Sequence, residues 1–200
     1  MLQYSVGILT SPSTAWRRLA ELSEHSRAIL LLYPAIWAAL PAFAWFYGTT
    51  QIGWTVGLND DVVRLTEESA VVISFLFYAA MVGAVVAIGY FIHWMADTYG
   101  AESTLTKGIM IASITATPLF LMGLVGFYPI LWLDMLLGVL ALSWSVYLLY
   151  LGIPIVMQIP QERGFLFASA VIAIALVVLI TLMVVSVLAW DWGAAPAFTN

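Results

Sequence analysis

Chemistry in this sequence would have to come from ionisable and hydroxyl side chains set inside apolar stretches, and these are few. Asp134 stands about one and a half helical turns beyond Pro129, in an otherwise uncharged run. A carboxylate at that depth is costly to desolvate. It suits a proton or cation site, or a partner for a polar group on another span. The plainer alternative is a wet position at the outer boundary, beside Trp132. Thr115 and Thr117 precede Pro118, and their hydroxyls are placed to satisfy the carbonyl groups that a proline frees one turn earlier. With Asp134 and Pro34, Pro41, Pro118, Pro129 and Pro154, they outline a candidate polar path. His93 and Asp97 lie four apart, a spacing that lets them pair on one helical face, and imidazole changes charge near neutral pH. Asp60, Asp61, Glu67 and Glu68 bracket Arg64 at intervals that suit an exposed helical turn with internal ion pairs.

Other chemistries find no foothold. The chain has no cysteine, which removes thiol catalysis, disulfides and cysteine metal sites. Its two histidines, His25 and His93, do not form a two-histidine metal spacing. There is no nucleophile–base pair, phosphate loop or glycine-rich nucleotide motif. The expectation is a protein that is not an enzyme and has no metal or cofactor. A net charge of −5, with one lysine and five arginines, excludes a nucleic-acid partner, which would need a basic face.

The elements that position these residues follow from composition. Of 200 residues, 64% are hydrophobic and 8% charged, against roughly 25% charged in a soluble domain. Too few charges exist to cover a water-soluble exterior, so lipid must surround the chain. Crossing the hydrocarbon layer takes ~20 apolar residues. Five segments qualify: 28–47, 70–94, 108–127, 129–151 and 166–190. Backbone groups in lipid must be satisfied internally, so each is a helix. The fold class is therefore all-α, a polytopic membrane protein with five transmembrane helices. Residues 1–27 form an N-terminal segment, 28–190 the helical domain and 191–200 an external tail. Met1 to Leu9 carry no positive charge and the first span is too long for a signal peptide, so it is a retained span.

Basic residues set the direction. Arg17, Arg18, Arg27, Lys107 and Arg163 fall on one side of a five-span chain, and Arg64 alone falls on the other. The positive-inside rule places the N-terminus in the cytoplasm and the C-terminus outside. Trp45, Tyr47, Trp54, Tyr128, Trp132, Trp190 and Trp192 mark the outer edge, and Tyr90, Trp94, Tyr99, Tyr147 and Tyr150 the inner one. Trp37 and Trp144 are mid-span and call for packing partners.

Ser11-Pro12 is a helix start, with a hydroxyl N-cap ahead of a proline at the first helical position. Over residues 13–23, Trp16, Leu19 and Ala20 share a side, and the charges lie largely elsewhere. This is a short amphipathic helix, expected to lie on the membrane surface with Trp16, Arg17 and Arg18 among anionic headgroups. Ala79, Gly83 and Ala87 make a smooth stripe on the second span, and Ala35, Ala38, Ala39 and Ala42 a similar one on the first. Small residues at this spacing let helices approach closely, within the chain or in a homo-oligomer or membrane-protein complex.

Three strings carry a resemblance: Gly48–Trp54 (GTTQIGW), Ala116–Phe120 (ATPLF) and Tyr147–Pro154 (YLLYLGIP). With Ser11-Pro12 and Trp16, they resemble the bacterial Yip-domain family of integral membrane proteins, over nearly the whole chain. The resemblance implies a multi-pass inner-membrane protein with its N-terminus inside and no catalytic residues. Eukaryotic relatives interact with Rab-type GTPases, but their Asp-Leu-Tyr-Gly-Pro-like motif is not found here, so the resemblance does not bring GTPase binding to this chain. Two functions fit: a non-enzymatic protein that organises lipid or membrane-protein partners, or a small oligomeric transporter, channel or lipid-moving protein with a polar path near Asp134.

Overall fold

The computed structural model describes residues 2–56 and 61–199. Two short helices, α1 (Leu2–Thr10) and α2 (Pro12–Ala20), precede the first pass. That pass runs through α3 (Glu24–Ile29), a 3-10 turn, α4 (Tyr33–Tyr47) and a wide turn over Gly48–Ile52. Strands β1 (Trp54–Val56) and β2 (Asp61–Leu65) lead to α5 (Glu67–Met95), which ends in a 3-10 turn over Ala96–Tyr99. Then come α6 (Leu105–Thr115), α7 (Thr117–Met122) with a 3-10 turn to Phe127, α8 (Leu131–Met157), α9 (Gln161–Ala189) and β3 (Phe198–Thr199).

Four passes are continuous enough to cross a membrane: Glu24–Ile52, Glu67–Tyr99, Leu131–Met157 and Gln161–Ala194. The remaining one is broken, with Leu105–Thr115 and Thr117–Phe127 bent by 41°. Pro118 accounts for the bend, because it offers no N–H and its ring crowds the carbonyl four residues earlier. The broken pair still runs from end to end. Thr104 and Thr106 at its start bond Glu24 at the start of the first pass, and Phe127 at its finish meets Tyr47, 5.8 Å between ring centroids. That makes five passes. Helix α8 reaches Met157, six residues past the expected Leu151, because Pro154 is accommodated within its last turns. A left-handed Gln158 then ends it.

Basic residues collect at one end of the bundle. Arg27 pairs with Glu24 at 3.6 Å, Lys107 donates to the Glu102 carbonyl, and the Arg163 guanidinium covers Gly100. At the far end, Arg64 donates to the Ile52 carbonyl. The segment around Arg64 corrects an expectation. Residues 61–65 are a strand rather than a helical turn, with β1–β2–β3 forming a small antiparallel sheet. Asp60 lies outside the described residues. Val62, Val63 and Leu65 favour extended backbone, which outweighs the helical spacing of the charges. The last described residues are held: Phe198 and Thr199 pair with Leu65 and Arg64.

The passes touch where side chains vanish. Helices α5 and α6 cross with Gly89 against Ile109 and Gly108 against the Gly89 carbonyl. The first pass meets the third through Gly48 and Gly126, and Gly126 also seats the Trp45 ring. The stripe singled out on α5 is elsewhere: Ala79 and Gly83 are exposed, Ala87 is half-buried, and a Cβ on Gly83 would meet nothing within 4 Å. It makes no contact within the chain that requires a small residue. Of the two mid-span tryptophans, Trp37 is buried beside Tyr33 at 5.7 Å. Trp144 faces outward beside Tyr147 at 5.4 Å.

Candidate functional site

Helices α1 and α2 fold as a hairpin into the basic end of the bundle. Pro12 occupies the first turn of α2 as its sequence requires, although the Ser11 hydroxyl makes no capping bond. The apolar side of α2 turns inward, with Ala15, Trp16 and Leu19 buried and Arg17 and Arg18 exposed. Trp16 therefore does not lie among headgroups as expected. Its ring is fully buried, and a Cβ on Gly152 of α8 would stand 2.5 Å from it. The missing side chain at Gly152 makes a seat that gives the ring more contact than the interface offers. The Trp16 Nε1 hydrogen has no acceptor there.

Helix α1 goes deeper, which its uncharged sequence permits. Ser5 and Ile8 are buried. The Ser5 hydroxyl lies 2.7 Å from the Tyr33 hydroxyl, itself 2.7 Å from the Thr117 hydroxyl. Tyr33 is five residues past Ala28 and Thr117 nine past Gly108, or roughly 8 and 13 Å along their spans at helical rise. Three buried hydroxyls from α1, the first pass and the kink of the third thus share two hydrogen bonds within the bundle's core. Replacing Tyr33 with phenylalanine leaves Ser5 and Thr117 without their common partner. The expected loss is about 1–3 kcal/mol, read by denaturant unfolding in detergent. A Ser5→Ala variant, which removes only the end of the chain, should lose less.

The predicted polar residues separate. Thr117 bonds to Tyr33 rather than to a carbonyl freed by Pro118, and the Thr115 hydroxyl has no partner among the described residues. Asp134 lies in the first turn of α8, half-buried, with its Oδ1 buried and unpartnered. No hydrogen bond joins Asp134 to either threonine among the described residues. His93 and Asp97 do not pair. Helix α5 tightens into a 3-10 turn at Ala96, which rotates Asp97 off the His93 face into solvent and leaves His93 Nδ1 unpartnered.

A second cluster fastens the first pass to the start of the third. The Glu24 carboxylate accepts from Thr106 at 2.6 Å and Thr104 at 2.7 Å, and Arg27 both faces it and donates to the Ala20 carbonyl.

Sequence reasoning missed Ser5, Tyr33 and Gly152. One signal was present: Leu2–Thr10 is apolar and uncharged just before Ser11-Pro12, the profile of a helix able to enter a bundle. Nothing in the sequence marks Gly152 as the seat of Trp16.

Known proteins resemble this chain in sequence. The chain is 40% identical to the inner membrane protein YohC of Escherichia coli K12 over 172 residues, 86% of each chain. The protein of the same name in Escherichia coli O6:H1, strain CFT073, matches to the same extent. No solved structure matches. The Yip1 domain model matches residues 6–182, from within α1 to within α9, so the chain belongs to the Yip1-domain family.

Proposed function

We propose that this protein is a non-enzymatic, inner-membrane interaction module that organises lipid or another membrane protein around its outer faces, with its basic end in the cytoplasm. The observation that carries this reading is the use of the bundle's interior polarity. Tyr33 bonds to both Ser5 and Thr117, and α1 is packed into the bundle with Ile8 fully buried. A path needs polar groups left over for a substrate, and these hold helices together instead.

What remains for interaction is outside. The exposed Ala79–Gly83 stretch offers a neighbouring helix a smooth surface that no pass of this chain uses. The natural absence of cysteine makes the test direct. Gly83→Cys and Ala79→Cys, oxidised in native membranes, are expected to give crosslinked species. Leu140→Cys, exposed on α8, is the comparison. Equal crosslinking at all three positions, or none at positions 79 and 83, overturns the α5 interface. Orientation has its own readout: a C-terminal alkaline phosphatase fusion should be active, and an inactive fusion reverses the assignment.

The transport reading retains two observations, the buried Asp134 Oδ1 and Thr115 Oγ1, each without a partner among the described residues. It predicts ion or lipid flux in proteoliposomes that falls on Asp134→Asn. Flux that persists unchanged in that variant, or no flux at all, removes it.

A further inference from the structure

The outer side of the α1–α2 hairpin forms an open cavity of about 370 Å3, within the range of roughly 300–1,000 Å3 seen for small-ligand sites. Gln3 and Tyr4 of α1 line one wall, Thr14 and Arg18 of α2 the other, with Ser11 at the bend and Leu22 at the rim. Arg18 is its one charged side chain, the Gln3 amide and the Tyr4, Ser11 and Thr14 hydroxyls can donate, and no acidic side chain is among the described lining residues. Arg18 is exposed and makes no ion pair among the described residues. The Ser11 hydroxyl lines the cavity and is not used for capping.

Position narrows the ligand. Leu22 is six residues before Ala28, where the apolar part of the first pass begins, and the other face of α2 is pinned to α8 through Trp16 and Gly152. The cavity is therefore at the level of the headgroups, with Leu22, Ala15 and Gly7 giving it an apolar side. A phosphodiester carrying acyl chains matches this combination of guanidinium, hydroxyls and apolar rim.

We propose that the α1–α2 cavity binds the phosphate of an anionic phospholipid in the adjoining leaflet, with Arg18 as its charge partner and Ser11 and Thr14 as hydroxyl donors. This rests on the proposed placement of the basic end at the cytoplasmic face, and it goes further by naming a site and a lipid class.

The test is native mass spectrometry of the full chain, released from a neutral maltoside detergent with phosphatidylglycerol or phosphatidylcholine added at equal amounts. Wild type is expected to retain phosphatidylglycerol preferentially. Arg18→Gln is expected to reduce that retention about tenfold, as loss of one charge-assisted contact implies. Arg18→Lys should recover part of it. Arg17→Gln, on the same helix but outside the cavity lining, should retain the lipid as wild type does. Circular dichroism melting checks that each variant is folded.

Equal retention by wild type and Arg18→Gln overturns the site. Equal loss in Arg17→Gln also overturns it, because the attraction is then only diffuse charge. Displacement of the lipid by millimolar inorganic phosphate overturns the lipid assignment in favour of a free anion. The phosphatase fusion reports orientation independently, so failure of this site and failure of the proposed topology are separable.

Discussion

Replacing Trp16 with alanine should release the N-terminal hairpin from the bundle. Truncating a buried tryptophan costs about 3–5 kcal/mol. The lower part of that range is expected here, because a freed α2 can still rest its apolar side on the membrane surface. The effect should be local. Hydrogen exchange in detergent is expected to rise across α1 and α2 while α5 and α9 keep their protection. Trp16→Phe should be milder, since it retains most of the ring contact with Gly152 and removes an indole N–H that has no acceptor. Unaltered protection of α1 and α2 in the alanine variant would mean that the hairpin is held by something other than this ring.

A comparable effect is expected from one methyl group at the crossing of α5 and α6. A Cβ on Gly108 runs into the Gly89 carbonyl, which is backbone and has no rotamer to yield. Gly108→Ala must therefore separate two helices along their contact. The expected destabilisation is at or above the upper end of the ~1–3 kcal/mol typical of overpacking. Gly83→Ala is the natural contrast. With no atom within 4 Å of its Cβ, it should be neutral in the isolated chain, or stabilising by up to ~1 kcal/mol through helix propensity. Unfolding in a detergent titration compares the two. Similar losses for both would contradict the crossing geometry.

These two glycines show how much of the molecule the sequence discloses. Gly83 fits a spacing rule with Ala79 and Ala87, yet faces away from every other pass. Gly89 and Gly108 belong to no stripe and make the close crossing. Periodicity within one helix says which residues share a side. It does not say which side meets a partner, because that depends on the placement of other passes. The passes themselves were legible, since apolar length is a local property, and the 3-10 turn that separates His93 from Asp97 was not. Trp16 is instructive in the same way. Its amphipathic helix and proline start were readable, but a tryptophan beside arginines fits a headgroup layer as well as a protein groove. The groove exists only because Gly152, more than a hundred residues on, has no side chain. The Ser5–Tyr33–Thr117 site was hidden for a similar reason: each hydroxyl alone is unremarkable, and only the fold joins them.

The small sheet at the far end also imposes an order on biogenesis. Strand β3 follows all five passes in the chain, yet its partner β2 precedes four of them. The β2 edge must therefore wait, with open hydrogen-bonding groups, until α9 has crossed. Pairing of Arg64 and Leu65 with Thr199 and Phe198 then follows the crossing of α9. A chain stalled before its last pass would keep that edge uncovered, and surveillance proteases that seize extended segments would have a place to bind.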